Sequence, residues 1–126
     1  MCMLDGGDRP GLLARVVQAL SQAGVNMEGF AEIGGVVHVL ARDPREARQA
    51  LRASGFAIDA ELEVLIVPMP HRPGEVSMIV QRLADAGVNV RFIYLATHTR
   101  RVIGTADIPA ARATLGPRQN WRGGNH

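Results

Sequence analysis

The sequence predicts an α+β fold made of two copies of one β-α-β-β-α-β unit, each an antiparallel sheet with both helices on one face. The first observation behind this prediction is an internal repeat. Residues 7–26 and 70–89 align without a gap, 63 positions apart, and ten of the twenty aligned pairs are identical. The second is that both copies carry apolar residues at helical spacing. A repeat of this length duplicates a whole structural unit, so both halves are expected to share one order of elements.

The length of the chain suits two small modules. A unit of about 60 residues buries only about 60% of the surface that its unfolded chain exposes, so each copy alone would be marginal. We therefore expect the two copies to pack into one compact unit. Residues 1–60 are assigned to module 1 and residues 61–115 to module 2. Residues 116–126 form a polar, glycine-rich tail, whose composition is typical of disordered segments.

One helix opens each module. Its apolar stripe consists of Leu13, Val16, Val17 and Leu20 in module 1 and of Val76, Ile79, Val80 and Leu83 in module 2. Such a stripe predicts that each helix buries one face. Pro10 and Pro73 suit the first helical turn. Gly24 and Gly87 suit the position just after the helix, where a left-handed residue is favoured.

The second helix of each module is marked by a proline near its start. Asp43 is a predicted N-cap before Pro44, with Gly55 closing the helix, and the counterpart runs from Pro109 to Leu115. Strands are predicted at 1–4, 25–33, 36–41 and 56–60 in module 1 and at 62–67, 88–96 and 101–105 in module 2. Module 2 has the polar tail where an apolar fourth strand would stand, so we expect it either to lack that strand or to borrow one.

Composition and charge exclude several classes of function. The formal net charge is only +2, and the fourteen arginines are spread along a chain that has no lysine and only five aromatic residues. Nucleic-acid binding usually needs a concentrated basic face, often with aromatic side chains that stack on bases, so we expect no nucleic-acid partner. No apolar run approaches the roughly 18 residues of a membrane span. The single cysteine, Cys2, forms no internal disulfide, and we expect a soluble, cytoplasmic protein.

Two short motifs occur twice at matched spacing. Arg-Pro-Gly stands before the first helix at 9–11 and 72–74, and Ala-Gly-Val-Asn leads to the second strand at 23–26 and 86–89. Together with the order of elements, these motifs resemble the ACT domain, a ferredoxin-like unit, here as a tandem pair. The likeness covers about residues 1–115 and is greatest to small stand-alone bacterial proteins made of two ACT modules. It implies a regulatory protein that binds a free amino acid at the seam between modules.

The resemblance implies that the loop before the first helix of one module and the start of the second strand of its partner hold the ligand. The candidate ligand-binding residues are Asp8, Arg9, Gly11, Leu12, Asn26 and Met27 in module 1 and His71, Arg72, Gly74, Glu75, Asn89, Val90 and Tyr94 in module 2. Their chemistry fits a zwitterion. Backbone N–H groups at Gly11 and Gly74 would face an α-carboxylate, because helix N-termini favour anions. Asn26 and Asn89 offer both a donor and an acceptor.

The two predicted sites are not equivalent. Asp8 and His71 occupy the same position in the two copies, so that Asp8 favours an ammonium group and His71 a carboxylate or a polar side chain. A purely structural interpretation also exists for each motif. Arg-Pro-Gly can be a tight connection between strand and helix, and Asn26 can satisfy turn backbone. Arg9 and Arg72 can remain solvated, and Tyr94 can be a half-buried strand residue.

Catalytic and metal sites find little support in the sequence. Ser21, Ser54 and Ser77 belong to no nucleophile motif, no phosphate-binding loop is present, and no cofactor is expected. The four histidines, His38, His71, His98 and His126, stand singly. We therefore predict a regulatory protein without enzymatic activity, which forms a homodimer and either passes its signal to a separate target protein or sequesters its ligand. The alternatives are an interaction module without a ligand and, lower, a metal-binding regulator or an enzyme on the same fold.

Overall fold

The structure is a computed structural model that describes residues 1–6, 10–69, 72–116 and the backbone of 122–123. The chain divides into two compact units between Leu62 and Glu63. Asp8, Arg9 and His71 lie outside the described residues. In the described part of the chain, every helix is too short or too polar to cross a membrane.

Module 1 is one antiparallel sheet with two helices. Its elements are β1 (Cys2–Asp5), α1 (Leu12–Gln22), β2 (Met27–Ile33), β3 (Val36–Ala41), α2 (Pro44–Ala53) and β4 (Ala60–Glu61). The strand order is β2-β3-β1-β4. The central strand β1 pairs with β3 and β4, and β2 pairs with β3, all antiparallel.

Module 2 repeats this arrangement. Its elements are β5 (Leu65–Pro68), α3 (Glu75–Asp85), β6 (Val90–Ala96), β7 (Arg100–Thr105), α4 (Ile108–Leu115) and β8 (Arg122–Gly123). The strand order is β6-β7-β5-β8, again antiparallel. The predicted α+β fold of two ferredoxin-like modules is therefore confirmed.

The fourth strand of module 2 differs from the sequence prediction. We expected this strand to be missing or borrowed, whereas the tail itself supplies β8, in which Arg122 opposes Ile66 and Gly123 opposes Leu65. Arginine and glycine carry no apolar strand pattern, so nothing in the sequence marks this pair as a strand. The rest of the predicted tail, at 117–121 and 124–126, lies outside the described residues.

Each module has its own hydrophobic core between the sheet and the two helices. The main buried residues are Leu4, Val16, Leu20, Val37, Val39 and Leu51 in module 1 and Leu65, Val67, Ile79, Leu83, Ile103 and Leu115 in module 2. Of the predicted helical stripes, Val16, Leu20, Ile79 and Leu83 are buried in these cores, Leu13 and Val76 pack against them, and Val17 and Val80 are half-buried outside them. Leu12 is buried and Leu13 is half-buried, because α1 begins at Leu12. Alternate residues of the central strands complete each core.

The first helices begin two residues later than predicted. Pro10 and Pro73 precede the helices rather than lying in their first turn, because Gly11 and Gly74 stand between with left-handed φ values of 83° and 86°. A residue with a Cβ would lose about 1–2 kcal/mol in this conformation, so the backbone itself requires glycine. The predicted C-terminal glycines are confirmed: Gly24 and Gly87 have φ values of 71° and 75°.

Several strand bounds also differ from the prediction. β2 and β6 begin two residues later than predicted, and each starts with a β-bulge in its ladder to the neighbouring strand. In module 1 the backbone carbonyl of Asn26 accepts a hydrogen bond from the Arg42 N–H at 2.9 Å, which closes the ladder before β2 begins. β4 is only Ala60–Glu61, and β5 begins at Leu65. Both strands are shorter than predicted, because apolar residues in the connections before them had suggested longer strands.

The second helices are tied to their modules by arginine. Arg48 on α2 binds Glu61 through two nitrogens, Nε to Oε2 at 3.0 Å and Nη2 to Oε1 at 3.0 Å. The same contact lowers the pKa of the Glu61 carboxyl. At the matching position of α4, Arg112 binds Glu63 at 3.0 Å. The predicted caps are also present, since Asp43 accepts a hydrogen bond from the Arg45 N–H at 2.9 Å.

One cross-strand pair exchanges its large and small residues between the modules. In module 1, Gly29 on β2 opposes Leu40 on β3. At the matching position of module 2, Phe92 on β6 opposes Gly104 on β7. The Phe92 ring lies over Gly104, where a Cβ would overlap it. The two copies therefore fill the same space from opposite strands.

The turn between β6 and β7 is strained. His98 and Thr99 have φ values of 61° and 53°, whereas the corresponding turn of module 1 is Gly34-Gly35. Arg100 holds the turn, with its Nε on the Thr97 carbonyl oxygen at 2.8 Å and its Nη2 on Thr97 Oγ1 at 2.8 Å. A left-handed φ is uncommon outside glycine and asparagine and costly for a β-branched residue.

Replacing Thr99 by glycine is therefore expected to raise the free energy of unfolding by about 0.5–1 kcal/mol, since glycine adopts this φ without strain. Urea unfolding followed by circular dichroism measures the change. Thr97→Gly is the matched control, because it removes the Oγ1 acceptor of Arg100 and should lower stability. A loss of stability in Thr99→Gly would show that the threonine side chain contributes more than the strain costs.

Candidate functional site

In the described residues, the first helices of both modules begin without a side-chain cap. Gly11 and Gly74 occupy the N-cap positions and have no side chain to cap the free N–H groups of the first turn. By contrast, Asp43 caps α2 and Asp107 caps α4, where it accepts a hydrogen bond from the Ala110 N–H at 3.0 Å. Uncapped backbone N–H groups and the helix dipole both favour negative charge at this point.

The predicted asparagines lie at the other end of the same helices. Asn26 follows α1 and Asn89 follows α3, and both residues are exposed. A helix of eleven residues is about 16 Å long. Gly11 and Asn26 are therefore too far apart to touch one small ligand, and the same holds for Gly74 and Asn89. Each module by itself does not bring its loop and its asparagine together.

Two further predicted residues, Arg72 and Glu75, lie at the start of α3. Arg72 is exposed in the turn before α3, where its carbonyl oxygen accepts a hydrogen bond from the Glu75 N–H at 3.3 Å. Glu75 is the first residue of α3 and is half-buried. An acidic residue at this point stabilises the helix dipole but disfavours an anion.

Three predicted residues have structural contacts. Met27 packs against the core of module 1 and Val90 against the core of module 2. Tyr94 stacks on Phe92, with ring centroids 6.1 Å apart and planes inclined by 22°. Burial raises the pKa of the Tyr94 hydroxyl, which therefore stays protonated. Such a tyrosine can donate a hydrogen bond but supplies no charge.

Module 1 contains a cleft of about 300 Å³ beside the start of α1, which we call the α1 cleft. The end of β1, the first turns of α1 and the connection from α2 to β4 line it. Its lining residues are Leu4, Asp5, Gly6, Leu12, Arg15, Ser54, Gly55, Phe56, Ala57 and Asp59. Of the predicted binding residues that the structure describes, Leu12 alone is among them. The cleft is nevertheless next to the predicted loop, because it lies at the N-terminus of α1.

The α1 cleft combines charges of both signs with an apolar floor. The buried side chains of Leu4 and Leu12 form the floor. The Arg15 guanidinium lies over the Phe56 ring, 5.9 Å from its centroid, and gives the cleft a positively charged wall. Asp59 supplies a carboxylate, one oxygen of which accepts a hydrogen bond from the Asp5 N–H. The cleft therefore offers separate partners to an anion and to a cation.

Module 2 does not reproduce this chemistry. The positions of Asp5, Gly6, Leu12 and Arg15 are occupied by Pro68, Met69, Glu75 and Met78. Proline and methionine thus replace Asp5 and Arg15, an acid and the base among the described residues of the α1 cleft. The charged cleft belongs to module 1, and the repeat does not predict it, because its charged residues differ between the copies.

The histidines form no described metal site. Within the described ranges, no three side chains of the His, Cys, Asp and Glu types come together. His38 is buried on β3, and desolvation lowers the pKa of its imidazole. His98 is exposed at the strained turn.

Comparison with known proteins supports the fold. A protein from Bacteroides thetaiotaomicron, BT0572, superposes with a TM-score of 0.70 at 23% identity, over 90% of this chain and 82% of that one. The regulatory subunit of aspartate kinase from Thermus thermophilus, in its ligand-free form, gives a TM-score of 0.60 at 24% identity, over 90% of this chain and 86% of that one. The corresponding subunit from Thermus flavus gives 0.56 at 22% identity, with 90% and 87% covered.

No family model matches the chain, and no curated protein sequence matches it. The structural likeness extends over most of each compared chain, so it covers both modules. The fold is ACT-like. At these identities the likeness concerns the fold, and what the chain binds has to be argued from its own residues.

Proposed function

We propose that this chain is a regulatory protein that binds a free amino acid in module 1 and catalyses no reaction. The observation that carries the proposal is the α1 cleft, in which a cationic wall, an anionic wall and an apolar floor meet. An α-carboxylate would bind the free N–H groups of α1 and Arg15. An ammonium group would bind Asp59, and a small apolar side chain would cover Leu4 and Leu12.

The proposed ligand also contacts a second module, so the site is a seam. The loop and the asparagine of one module lie about 16 Å apart along a helix. In this proposal an asparagine of another module contacts the ligand in the α1 cleft, and Asn26 and Asn89 are both exposed. A homodimer is one proposed source of that second module. This arrangement fits the resemblance noted from the loop and asparagine motifs.

The proposed mechanism is a shift in the packing of modules. A ligand that touches two modules stabilises their closed arrangement by the difference between its affinities for the closed and open states. Binding at micromolar to millimolar strength supplies about 4–8 kcal/mol. This binding free energy is enough to change which surface near the module interface is exposed to a separate target protein. As part of the same proposal, the protein works in the cytoplasm, where the buried thiol of Cys2 stays reduced.

An interaction module without a ligand is the second candidate function. Phe30 on β2 and Leu95 on β6 are 46% and 55% exposed. Both strands stand at the end of their sheets in the described strand order. Exposed apolar residues on edge strands favour pairing with another protein chain. In that case stability would depend on protein concentration and not on amino acids.

A thermal-shift panel of the twenty amino acids separates the two functions. We expect a narrow group of amino acids to raise the Tm of the wild-type protein at millimolar concentration. Asn26→Ala or Asn89→Ala should reduce that rise, depending on which asparagine closes the site. Gln49→Ala, an exposed change on α2, is the control and should leave the rise unchanged. A Tm that ignores every amino acid but rises with protein concentration would favour the interaction module.

A further inference from the structure

The aromatic ring beneath Arg15 in the α1 cleft belongs to Phe56, which the end of α2 fixes in place. Gly55 has a left-handed φ of 84°, and the Phe56 N–H donates a hydrogen bond to the Leu51 carbonyl oxygen at 3.0 Å. The Gly55 N–H likewise donates to the Arg52 carbonyl oxygen at 3.0 Å. These two bonds form the Schellman motif, in which a glycine after a helix turns the next residue back toward the last helical turn. The backbone that carries the Phe56 ring is therefore determined by hydrogen bonds.

The Phe56 ring joins the core of module 1 to the cleft. It is half-buried and packs against that core. It also lies under the Arg15 guanidinium, whose central carbon is 5.9 Å from the ring centroid, within the range of a cation–π interaction. Arg15 stands on the exposed side of α1. Because a long arginine side chain on a helix surface otherwise samples many rotamers, the ring restricts where the positive charge of the cleft lies.

The guanidinium of Arg15 remains available to a ligand although acids line the same cleft. Asp5 and Asp59 are cleft residues, yet Arg15 forms no ion pair with any carboxylate among the described residues. By contrast, Arg48 on α2 is bound by Glu61. A pair between Arg15 and Asp59 would occupy both of the groups that a zwitterion needs. Stacking on Phe56 accounts for the separation of the two charges.

Module 2 lacks both members of this stacked pair. Met78 holds the position of Arg15. The second helices align 64 positions apart, as Leu51 and Leu115 illustrate, so the counterpart of Phe56 is Asn120, which lies outside the described residues. The second copy thus has neither the base nor the ring, which favours a joint role for the two residues in module 1.

We infer that Phe56 is a positioning residue of the α1 cleft, whose ring holds the Arg15 guanidinium in the orientation that binds the α-carboxylate of the ligand. The inference rests on the proposed function and deepens it, because it names the group on which recognition depends. A guanidinium that is already ordered loses less conformational freedom when it binds. The cleft therefore selects molecules with a free carboxylate, and prefers amino acids to their amides and to the N-termini of peptides.

Titration calorimetry of an amino acid and its carboxamide tests this inference. The probe is the tightest binder among the twenty amino acids, compared with its own amide, for example L-valine with L-valinamide. Phe56→Leu keeps an apolar side chain against the core but removes the aromatic face. It should weaken binding of the amino acid about two- to fivefold, as expected for the loss of an exposed cation–π interaction. The affinity for the carboxamide should not change, and Phe56→Tyr, which keeps the ring, should bind the amino acid as the wild type does.

A double-mutant cycle excludes a merely structural role. In the background of Arg15→Gln, Phe56→Leu should weaken binding no further, because the ring has no guanidinium to hold. An equal loss in both backgrounds, or an equal loss for the amino acid and its carboxamide, overturns the inference. Circular dichroism checks the fold, and Phe56→Met, which fills a similar volume without a ring, provides the same test if Phe56→Leu unfolds.

The outcomes also separate this inference from the proposed function. Binding of an amino acid that Phe56→Leu retains in full leaves the proposed function standing and overturns the role of Phe56. A wild-type protein that binds none of the twenty amino acids overturns both, since no carboxylate is then recognised in the cleft.

Discussion

Replacing Gly104 by alanine is expected to lower the free energy of unfolding by about 1–3 kcal/mol, the usual cost of overpacking a tight site. Gly104 is buried on β7 directly opposite Phe92, and a Cβ there would overlap the aromatic ring. The ring cannot move freely, because it also stacks on Tyr94. Either the ring or the strand must therefore shift. Urea unfolding monitored by circular dichroism measures the loss.

A double-mutant cycle identifies the cause. In the background of Phe92→Ala, the change Gly104→Ala should cost less than it does in the wild type, since the ring is gone. The exchanged pair Phe92→Gly with Gly104→Leu, which copies Gly29 and Leu40 of module 1, should be more stable than Gly104→Leu alone. An equal cost of Gly104→Ala in both backgrounds would mean that backbone freedom, and not the Phe92 ring, determines the need for glycine.

The α1 cleft gives the second large expected effect. Arg15→Gln and Asp59→Asn should each weaken binding of the amino acid identified by the panel at least tenfold. The first variant removes the partner of the carboxylate and the second removes the partner of the ammonium group. Asp59→Asn keeps an oxygen that can accept the Asp5 N–H, so the fold is expected to be retained. Isothermal titration calorimetry measures the affinities.

Met78→Gln is the matched control for Arg15→Gln, because Met78 holds the same position in module 2 and is 47% exposed. It should leave the affinity unchanged. Unchanged affinity in both Arg15→Gln and Asp59→Asn would exclude the α1 cleft as the binding site. The amino-acid site would then have to lie at the loop and the asparagine, outside the α1 cleft.

The repeat predicts much of the fold because it duplicates the residues that the backbone requires. Gly11 and Gly24, with their counterparts in module 2, all have left-handed φ values, which explains why both copies carry them. Most residues of the apolar stripes lie in or against the cores for the same reason. The helix starts were misplaced by two residues, since the left-handed turn at Gly11 separates Pro10 from the helix. Sequence spacing does not reveal that turn.

The candidate site was only partly predictable. Arg15 and Asp59 stand 44 positions apart in the sequence, and only the packing of α1 beside the connection to β4 brings them to one cleft. Arg15 also has no basic counterpart in module 2, so a comparison of the two copies for identical residues does not identify it. In this chain the repeated residues build the scaffold, and the charged residues with distinctive surroundings are those that differ between copies.

The central claim is that module 1 binds a free amino acid in the α1 cleft. Titration calorimetry of the twenty amino acids against the wild-type protein tests it most directly, since it detects binding whether or not stability changes. The proposed function predicts saturable binding of a narrow group with a Kd between about 1 µM and 1 mM, lost in Arg15→Gln and retained in Met78→Gln. Absence of binding by all twenty at 10 mM ligand, with a protein that circular dichroism shows to be folded, would contradict it.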